Sequence, residues 1–233
     1  MKSKICVLTG AGVSAESGIR TFRDADGLWE GHDVMEVASP EGWHKNKELV
    51  LDFYNQRRAQ LHTVQPNQAH LEIAALESTH NVVVITQNVD DLHERAGSSH
   101  IIHLHGELRK ARSIGNPRHV VDWLGDIQLG DTCPDGHQMR PHIVWFGEAV
   151  PMLERAIMEI QDANHVIIVG TSMQVYPAAS LTAYAPADSP IYYVDPRPHI
   201  NHELSRARGL KIFKGPATVE TKRAIESLRS YHP

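Results

Sequence analysis

Six short, almost uninterrupted apolar runs, with helical patterns between them, limit what this chain can fold into. They lie at residues 5–8, 82–85, 101–103, 166–169, 191–194 and 210–213. Apolar residues without polar alternation are expected of strands covered on both faces. Helical patterns follow at 67–77, after Pro66, and at 151–161 and 217–229. The alternation predicts an α/β chain built on a Rossmann-like doubly wound parallel sheet. Two segments break the rhythm. Residues 31–65 carry an amphipathic helical pattern over 47–62, and residues 107–148 are rich in Gly, Pro and Asp with few strand signals.

The first run ends in Gly10-Ala11-Gly12-Val13-Ser14-Ala15, which fits the dinucleotide pattern G-x-G-x-x-A. Gly10 is expected to allow the tight turn and Gly12 to let the backbone approach a pyrophosphate. Ala15 would let a helix pack close to the strand, with phosphates at the helix N-terminus. At the carboxyl end of the second run stand Gln87, Asn88 and Asp90, where open α/β sheets place ligand-binding groups. Asn88 or Asp90 capping a helix over 91–95 fits the same residues.

Composition narrows the class. The formal net charge of −5 argues against general nucleic-acid affinity, and a mildly acidic enzyme suits lysine-bearing substrates. There is no run of about 18 apolar residues, so no membrane span is expected. Two cysteines, Cys6 and Cys133, argue against a disulfide framework. With the first strand starting at Lys4, no leader is expected and a cytoplasmic location is. A monomer is the expected state. Sixteen histidines mean that no histidine counts as catalytic on identity alone.

Several ordered motifs carry a resemblance over residues 4 to about 230. Gly18-Ile19-Arg20-Thr21-Phe22-Arg23 and Gly27-Leu28-Trp29 closely resemble the NAD-binding loop of the sirtuins, the Sir2-like NAD-dependent protein deacylases. Thr86-Gln87-Asn88-Val89-Asp90, His103-Leu104-His105-Gly106-Glu107, the segment 141–148, Gly170-Thr171-Ser172 and Lys214-Gly215-Pro216-Ala217 follow in sirtuin order.

The resemblance implies a large lobe of approximately 1–30, 66–106 and 149–233, a small lobe of 31–65 and 107–148, and a cofactor cleft between them. It implies NAD contacts at Gly10, Ala11, Gly12, Ser14, Ala15, Phe22, Arg23, Trp29, Gln87, Gly170, Thr171, Ser172, Asp195 and Ala217. Asn88 and Asp90 become the nicotinamide-pocket pair, since a carboxamide is matched by an amide and a carboxylate. His105 becomes the general base, with a pKa near working pH. His103, two residues earlier on the strand, is its rival. Val144, Trp145, Phe146, Gly147 and Glu148 become the edge to which an acyl-lysine peptide adds as a strand; a buried strand fits them too.

Two departures from the family pattern stand out. Most sirtuins hold the small lobe with four cysteines on zinc. Here Cys133 and His137 supply two ligands and His119 a conceivable third, short of the four that structural zinc needs. No metal is expected, and Val120, Val121, Trp123 and Leu124 are expected to pack the lobe instead. The second departure is Tyr54 and Arg57, one helical turn apart, which resemble the Tyr-x-x-Arg pair of the desuccinylase and demalonylase branch. Thr21, where deacetylases commonly carry Asp, agrees. Arg57 is expected to recognise an acyl carboxylate, and Arg58 to be a solvated surface arginine.

The implied function is NAD-dependent protein-lysine deacylation (deacetylation, desuccinylation, demalonylation) releasing nicotinamide and 2′-O-acyl-ADP-ribose. Its rivals are an NAD glycohydrolase or mono-ADP-ribosyltransferase, and a non-enzymatic NAD-binding module.

Overall fold

Along β1 (Lys4–Thr9), Ile5 and Val7 enter one apolar cluster while Cys6 and Leu8 enter another, and all four are buried. Both faces of the strand are therefore covered, as its unbroken apolar run requires. The computed structural model describes residues 2–20 and 28–230.

After β1 the chain runs through β2 (Leu28–Trp29), β3 (His32–Asp33), α1 (Val34–Val37), α2 (Pro40–Lys45), α3 (Lys47–Gln60), α4 (Gln68–Ala75) and β4 (Asn81–Thr86). Next come α5 (Leu92–Ala96), β5 (Ile101–His103), β6 (Gly106–Ser113), β7 (Val120–Asp122), β8 (Met139–Ile143) and α6 (Leu153–Ile160). It closes with β9 (His165–Val169), β10 (Ile191–Val194), α7 (His202–Ser205), β11 (Leu210–Phe213) and α8 (Ala217–Arg229).

The main sheet has the order β11-β10-β9-β1-β4-β5, and every pair in it is parallel. Counted within this sheet, that is the 3-2-1-4-5-6 order of doubly wound folds, with the switch point between β1 and β9. On one face α4 and α8 supply Ile73, Ala224, Ile225 and Leu228. On the other, α6 supplies Ala156 and Ile160, and α7 Leu204. The expected α/β architecture is what the chain adopts.

The stretch 107–148 departs from its expected irregularity. It forms an antiparallel sheet of order β7-β6-β8 with a register shift between Glu107 and Ala111. The strands GELRKARS and MRPHI carry too many charges to read as apolar runs, and burial in β6 largely alternates. This sheet packs with α3 around Trp43, Val50, Phe53, Tyr54, Leu108, Met139 and Trp145. The expected packing residues are marginal: Val121 and Trp123 only border the cluster, and Leu124 is 56% exposed.

Arg58 overturns its expected solvated state. It is 1% exposed, and its Nε donates to the Leu108 carbonyl at 2.6 Å and Nη1 to Asn55 Oδ1 at 2.7 Å. Asn55 in turn exchanges two hydrogen bonds with the backbone of Ile127. Burial lowers the Arg58 pKa to about 10, still charged at neutral pH. Arg58→Ala strands a buried carbonyl, which costs about 1–3 kcal/mol. In a domain of this size we expect a melting temperature roughly 3–10 °C lower by thermal denaturation; an unchanged melting curve would refute that role. Among the described residues, no helix is long and apolar enough to cross a membrane.

Candidate active site

A cavity of about 550 Å³ opens beyond the carboxyl ends of β1, β4, β9 and β10 and reaches across to α3 and the end of β8. Its size suits a nucleotide-sized ligand. Gly10, Ala11, Gly12, Ala15, Trp29, Gln87, Asn88, Asp90, His105, Gly170, Thr171, Ser172, Asp195 and Ala217 all line it, as do Tyr54, Arg57 and residues 144–148. Phe22 and Arg23, and with them Thr21, lie outside the described residues. Ser14 is fully buried beneath the cavity wall.

The glycine motif works differently from its expected form. A Cβ on Gly12 would meet the Gly170 backbone at 2.7 Å, and its amide donates to the Gly170 carbonyl at 2.8 Å. Gly12 therefore lets two loops of the sheet edge meet, and the paired loops form the cavity floor. No α-helix opens behind it: two short 3-10 turns follow, at Ala11–Val13 and Ala15–Ser17. Ala15 is exposed and faces the cavity instead of a strand. The helix N-terminus at the cavity is that of α8, where Ala217 is the first residue and Glu16 accepts from the Thr218 amide at 2.9 Å. Asp195, 2% exposed at the end of β10, accepts from the Arg197 amide at 2.8 Å.

Ser14 holds the Asn88–Asp90 pair. Its hydroxyl donates to Asp90 Oδ2 at 2.9 Å and accepts from Asn88 Nδ2 at 3.1 Å. Below it His70 accepts the Asn67 amide proton on Nδ1, which leaves Nε2–H to donate to Ser14 at 3.3 Å. Asp90 Oδ1 also accepts from the Leu92 amide at 3.1 Å, but the residue in the N-cap position of α5 is Asp91, so neither Asn88 nor Asp90 caps that helix as the sequence suggested. Burial pushes the Asp90 pKa up to about 6 against the pull of those two bonds, and burial pushes His70 down to about 4. Gln87 Nε2 donates to Thr171 Oγ1 at 2.9 Å, tying the β4 and β9 ends together.

The two rival histidines separate cleanly. His103 sets Nδ1 against the Asn88 carbonyl at 3.2 Å and Nε2 against Glu94 Oε1 at 2.6 Å. Both partners are acceptors, which favours the protonated ring: burial lowers its pKa, but Glu94, Glu107 and the Asn88 carbonyl together more than offset this and the net shift is upward. His105 instead lines the cavity and donates Nδ1–H to the Gln87 carbonyl at 3.0 Å, which leaves Nε2 with its lone pair. Burial lowers its pKa, so the ring is neutral at pH 7. The regular alternation that would place both rings on one face ends with β5 at His103, and His105 lies in the bend before Gly106, whose φ is +85°. A Cβ there would strike the His142 carbonyl at 2.0 Å.

At the other end of the cavity, Trp29 packs edge-on against Phe53 and Tyr54 at 5.0 and 6.0 Å between centroids. The Tyr54 hydroxyl accepts from Trp145 Nε1 at 3.1 Å, and burial raises its pKa. Arg57 lies 3.8 Å over the Phe53 ring and donates Nη1 to the Phe53 carbonyl at 2.6 Å. Its Nε is buried without a partner among the described residues, and burial lowers its pKa.

The expected peptide edge is not a strand, because β8 stops at Ile143. The amides of Val144, Trp145, Phe146 and Glu148 donate to His105 O, Glu148 Oε2, Ala38 O and Trp145 O respectively. Arg112 and Arg140 grip the Glu148 carboxylate at 2.9 and 2.8 Å, and Arg140 lies 3.2 Å over the Trp145 ring. Burial works against ionisation of Glu148, yet the Arg140 and Trp145 bonds hold its pKa below the usual value. Arg112 and Arg140 carried no signal in sequence, because Glu148, 36 and 8 residues away, stands at no spacing that helix or strand periodicity brings together. His70 left one: it sits three residues after Asn67, the spacing of a helix capping box.

For metals, the only group of three ligand atoms within 4.8 Å of one another among the described residues is Glu94, His103 and Glu107. Cys133 belongs to no such group there; its amide donates to the His137 carbonyl at 2.9 Å, closing a tight turn.

A doubly wound sheet whose switch point opens on a cavity lined by glycines, an amide, a carboxylate and a neutral histidine defines a nucleotide-binding α/β enzyme. The Sir2 family model matches residues 10–177, and the chain belongs to that family. It is 63% identical over 193 residues to an NAD-dependent protein deacylase of Helicobacter pylori, covering 83% of this chain and 84% of that protein. It is 52% identical over 204 residues to an NAD-dependent protein deacylase of Bacteroides thetaiotaomicron, covering 85% and 87%. A solved Sir2 homologue in complex with NAD superposes with a TM-score of 0.85 at 38% identity, covering 98% of this chain and 90% of that one. A Sir2 homologue mutant bound to 2′-O-acetyl ADP ribose gives 0.85 at 36% identity, covering 98% and 92%.

Proposed function

We propose that this Sir2-family chain is an NAD-dependent protein-lysine deacylase that takes both acetyl and negatively charged short acyl groups. One observation carries the reading: a neutral histidine, an amide–carboxylate pair and a half-buried arginine open on the same cavity. Asn88 and Asp90, held by Ser14, match the carboxamide of the nicotinamide end. Expulsion of nicotinamide by the acyl oxygen leaves a ribose hydroxyl next to the new imidate. His105 Nε2 takes that hydroxyl proton, and the oxygen attacks the imidate carbon. Protonation of the imidate nitrogen then releases the lysine amine. Water adds to the acyl carbon left bridging the two ribose oxygens, and the bond from that carbon to the C1′ oxygen breaks. C1′ keeps a hydroxyl and the acyl group stays on the neighbouring ribose oxygen.

Thr171, Ser172, Asp195 and Ala217 serve the rest of the dinucleotide, and the substrate peptide adds along residues 144–148, which line the cavity. No resident metal enters the reaction. A cytoplasmic setting fits the two buried free thiols, Cys6 and Cys133.

Incubation with NAD and an acyl-lysine peptide tests this directly. Nicotinamide and deacylated peptide should appear in equal amounts. Nicotinamide without peptide would make the chain a glycohydrolase, and neither product would leave it a binding module.

A further inference from the structure

We propose that Glu30 is an internal counter-ion of Arg57 that stands in for the acyl carboxylate and so tempers the enzyme's preference for charged acyl groups. The inference rests on the reading of Arg57 as the acyl-carboxylate site. Glu30 and Gly31 form the two-residue turn between β2 and β3, with φ of +52° and +84°. A hairpin turn with both central residues at positive φ favours Asn, Asp or Gly in the first place. Glutamate offers the backbone no such advantage. What it adds is reach.

Its carboxylate lines the cavity, with Oε2 3.8 Å from Arg57 Nη2 and 3.4 Å from Arg20 Nη1. The Glu30 and Arg57 side chains are 15% and 12% exposed, while Arg20 at the rim is 78% exposed.

A guanidinium held that far from water needs compensation. Glu30 supplies it when the acyl chain is neutral, so an acetyl group enters a channel whose charges are already balanced. The pairing with Arg57 is loose: at 3.8 Å it lies beyond hydrogen-bonding distance, and Arg57 Nε has no partner among the described residues. A succinyl or malonyl carboxylate can take Nε and Nη2 as a fork. It must then displace Glu30 towards Arg20 or lie beside a like charge. That cost falls on charged acyl groups alone. Glu30 thus narrows the gap between the two substrate classes.

The test is the ratio of kcat/KM for succinyl-lysine to that for acetyl-lysine peptide in Glu30→Gln, Glu30→Asp, Arg57→Ala and the double variant Glu30→Gln/Arg57→Ala. Glu30→Gln keeps the shape and should raise the ratio about ten-fold, the scale of one partly screened charge contact. Glu30→Asp retains the charge and should leave the ratio near that of the parent. In the Arg57→Ala background, Glu30→Gln should no longer move it. An unchanged ratio in Glu30→Gln overturns the proposal, as does an equal rise with and without Arg57, which would mean bare repulsion and not pairing. Should Arg57→Ala by itself leave the ratio untouched, the acyl-carboxylate reading fails, and this one with it.

Discussion

Replacement of His105 by alanine is expected to lower deacylation by about 10²–10⁴-fold, the usual contribution of a positioned general base. NAD binding should survive, because the glycine loops, Gln87–Thr171 and the α8 N-terminus hold their places without the imidazole. The pH profile gives a second readout. A base acts only when deprotonated, and burial sets the His105 pKa below its ordinary value. Activity should therefore be full at neutral pH and fall on acidification, as the His105 ring takes up a proton; Asp90 takes up its own near pH 6. His103→Ala should keep far more activity, since its ring faces Glu94, does not line the cavity and has its pKa raised, which favours the cation over a base. The opposite ranking of the two variants would transfer the catalytic role to His103. Simultaneous loss of NAD affinity in His105→Ala would show that the ring supports the cofactor site.

What could be read in the sequence follows from how far each contact reaches. The parallel sheet was legible because covering both faces forces strands such as 82–85 and 191–194 to be apolar throughout, a signal four residues wide. The antiparallel strands β6 and β8 gave none, because their buried side includes Arg140, acceptable there only through Glu148, Ile143 and the Trp145 ring. Arg58 misled for the same reason: its partners are a carbonyl fifty residues away and a side chain one turn back.

At the site, Gln87, Asn88, Asp90 and His105 were legible because strand ends near a switch point collect ligand-binding groups. The support beneath them was not. Ser14 and His70 come from distant segments that meet only once β1 and β4 pair at Thr9 and Thr86. Gly12 was read as a close approach to a pyrophosphate; its packing against Gly170 left no mark, since a sequence shows that a Cβ is missing and not everything that fills its place.

Arg57→Ala is expected to lower kcat/KM for succinyl-lysine peptide by about ten- to a hundred-fold, while acetyl-lysine turnover falls far less. The size comes from the hydrogen bonds that a charged acyl group makes to the guanidinium, roughly 1.5–3 kcal/mol. The geometry favours a carboxylate over a structural role. Arg57 Nε is buried without a partner among the described residues, and stacking on Phe53 fixes the plane of the fork. Tyr54 completes the arrangement. Its oxygen already accepts from Trp145, and its raised pKa keeps the phenol protonated, so the O–H remains to donate to the same acyl carboxylate. Tyr54→Phe should therefore lower succinyl-lysine activity in the same direction as Arg57→Ala, by less, because a neutral donor contributes less than a charged one. Arg58→Ala, in contrast, acts through stability and should shift both substrates together. Equal losses of succinyl and acetyl activity in Arg57→Ala would mean that the residue supports α3 and its Phe53 contact, and the acyl-carboxylate assignment would fall.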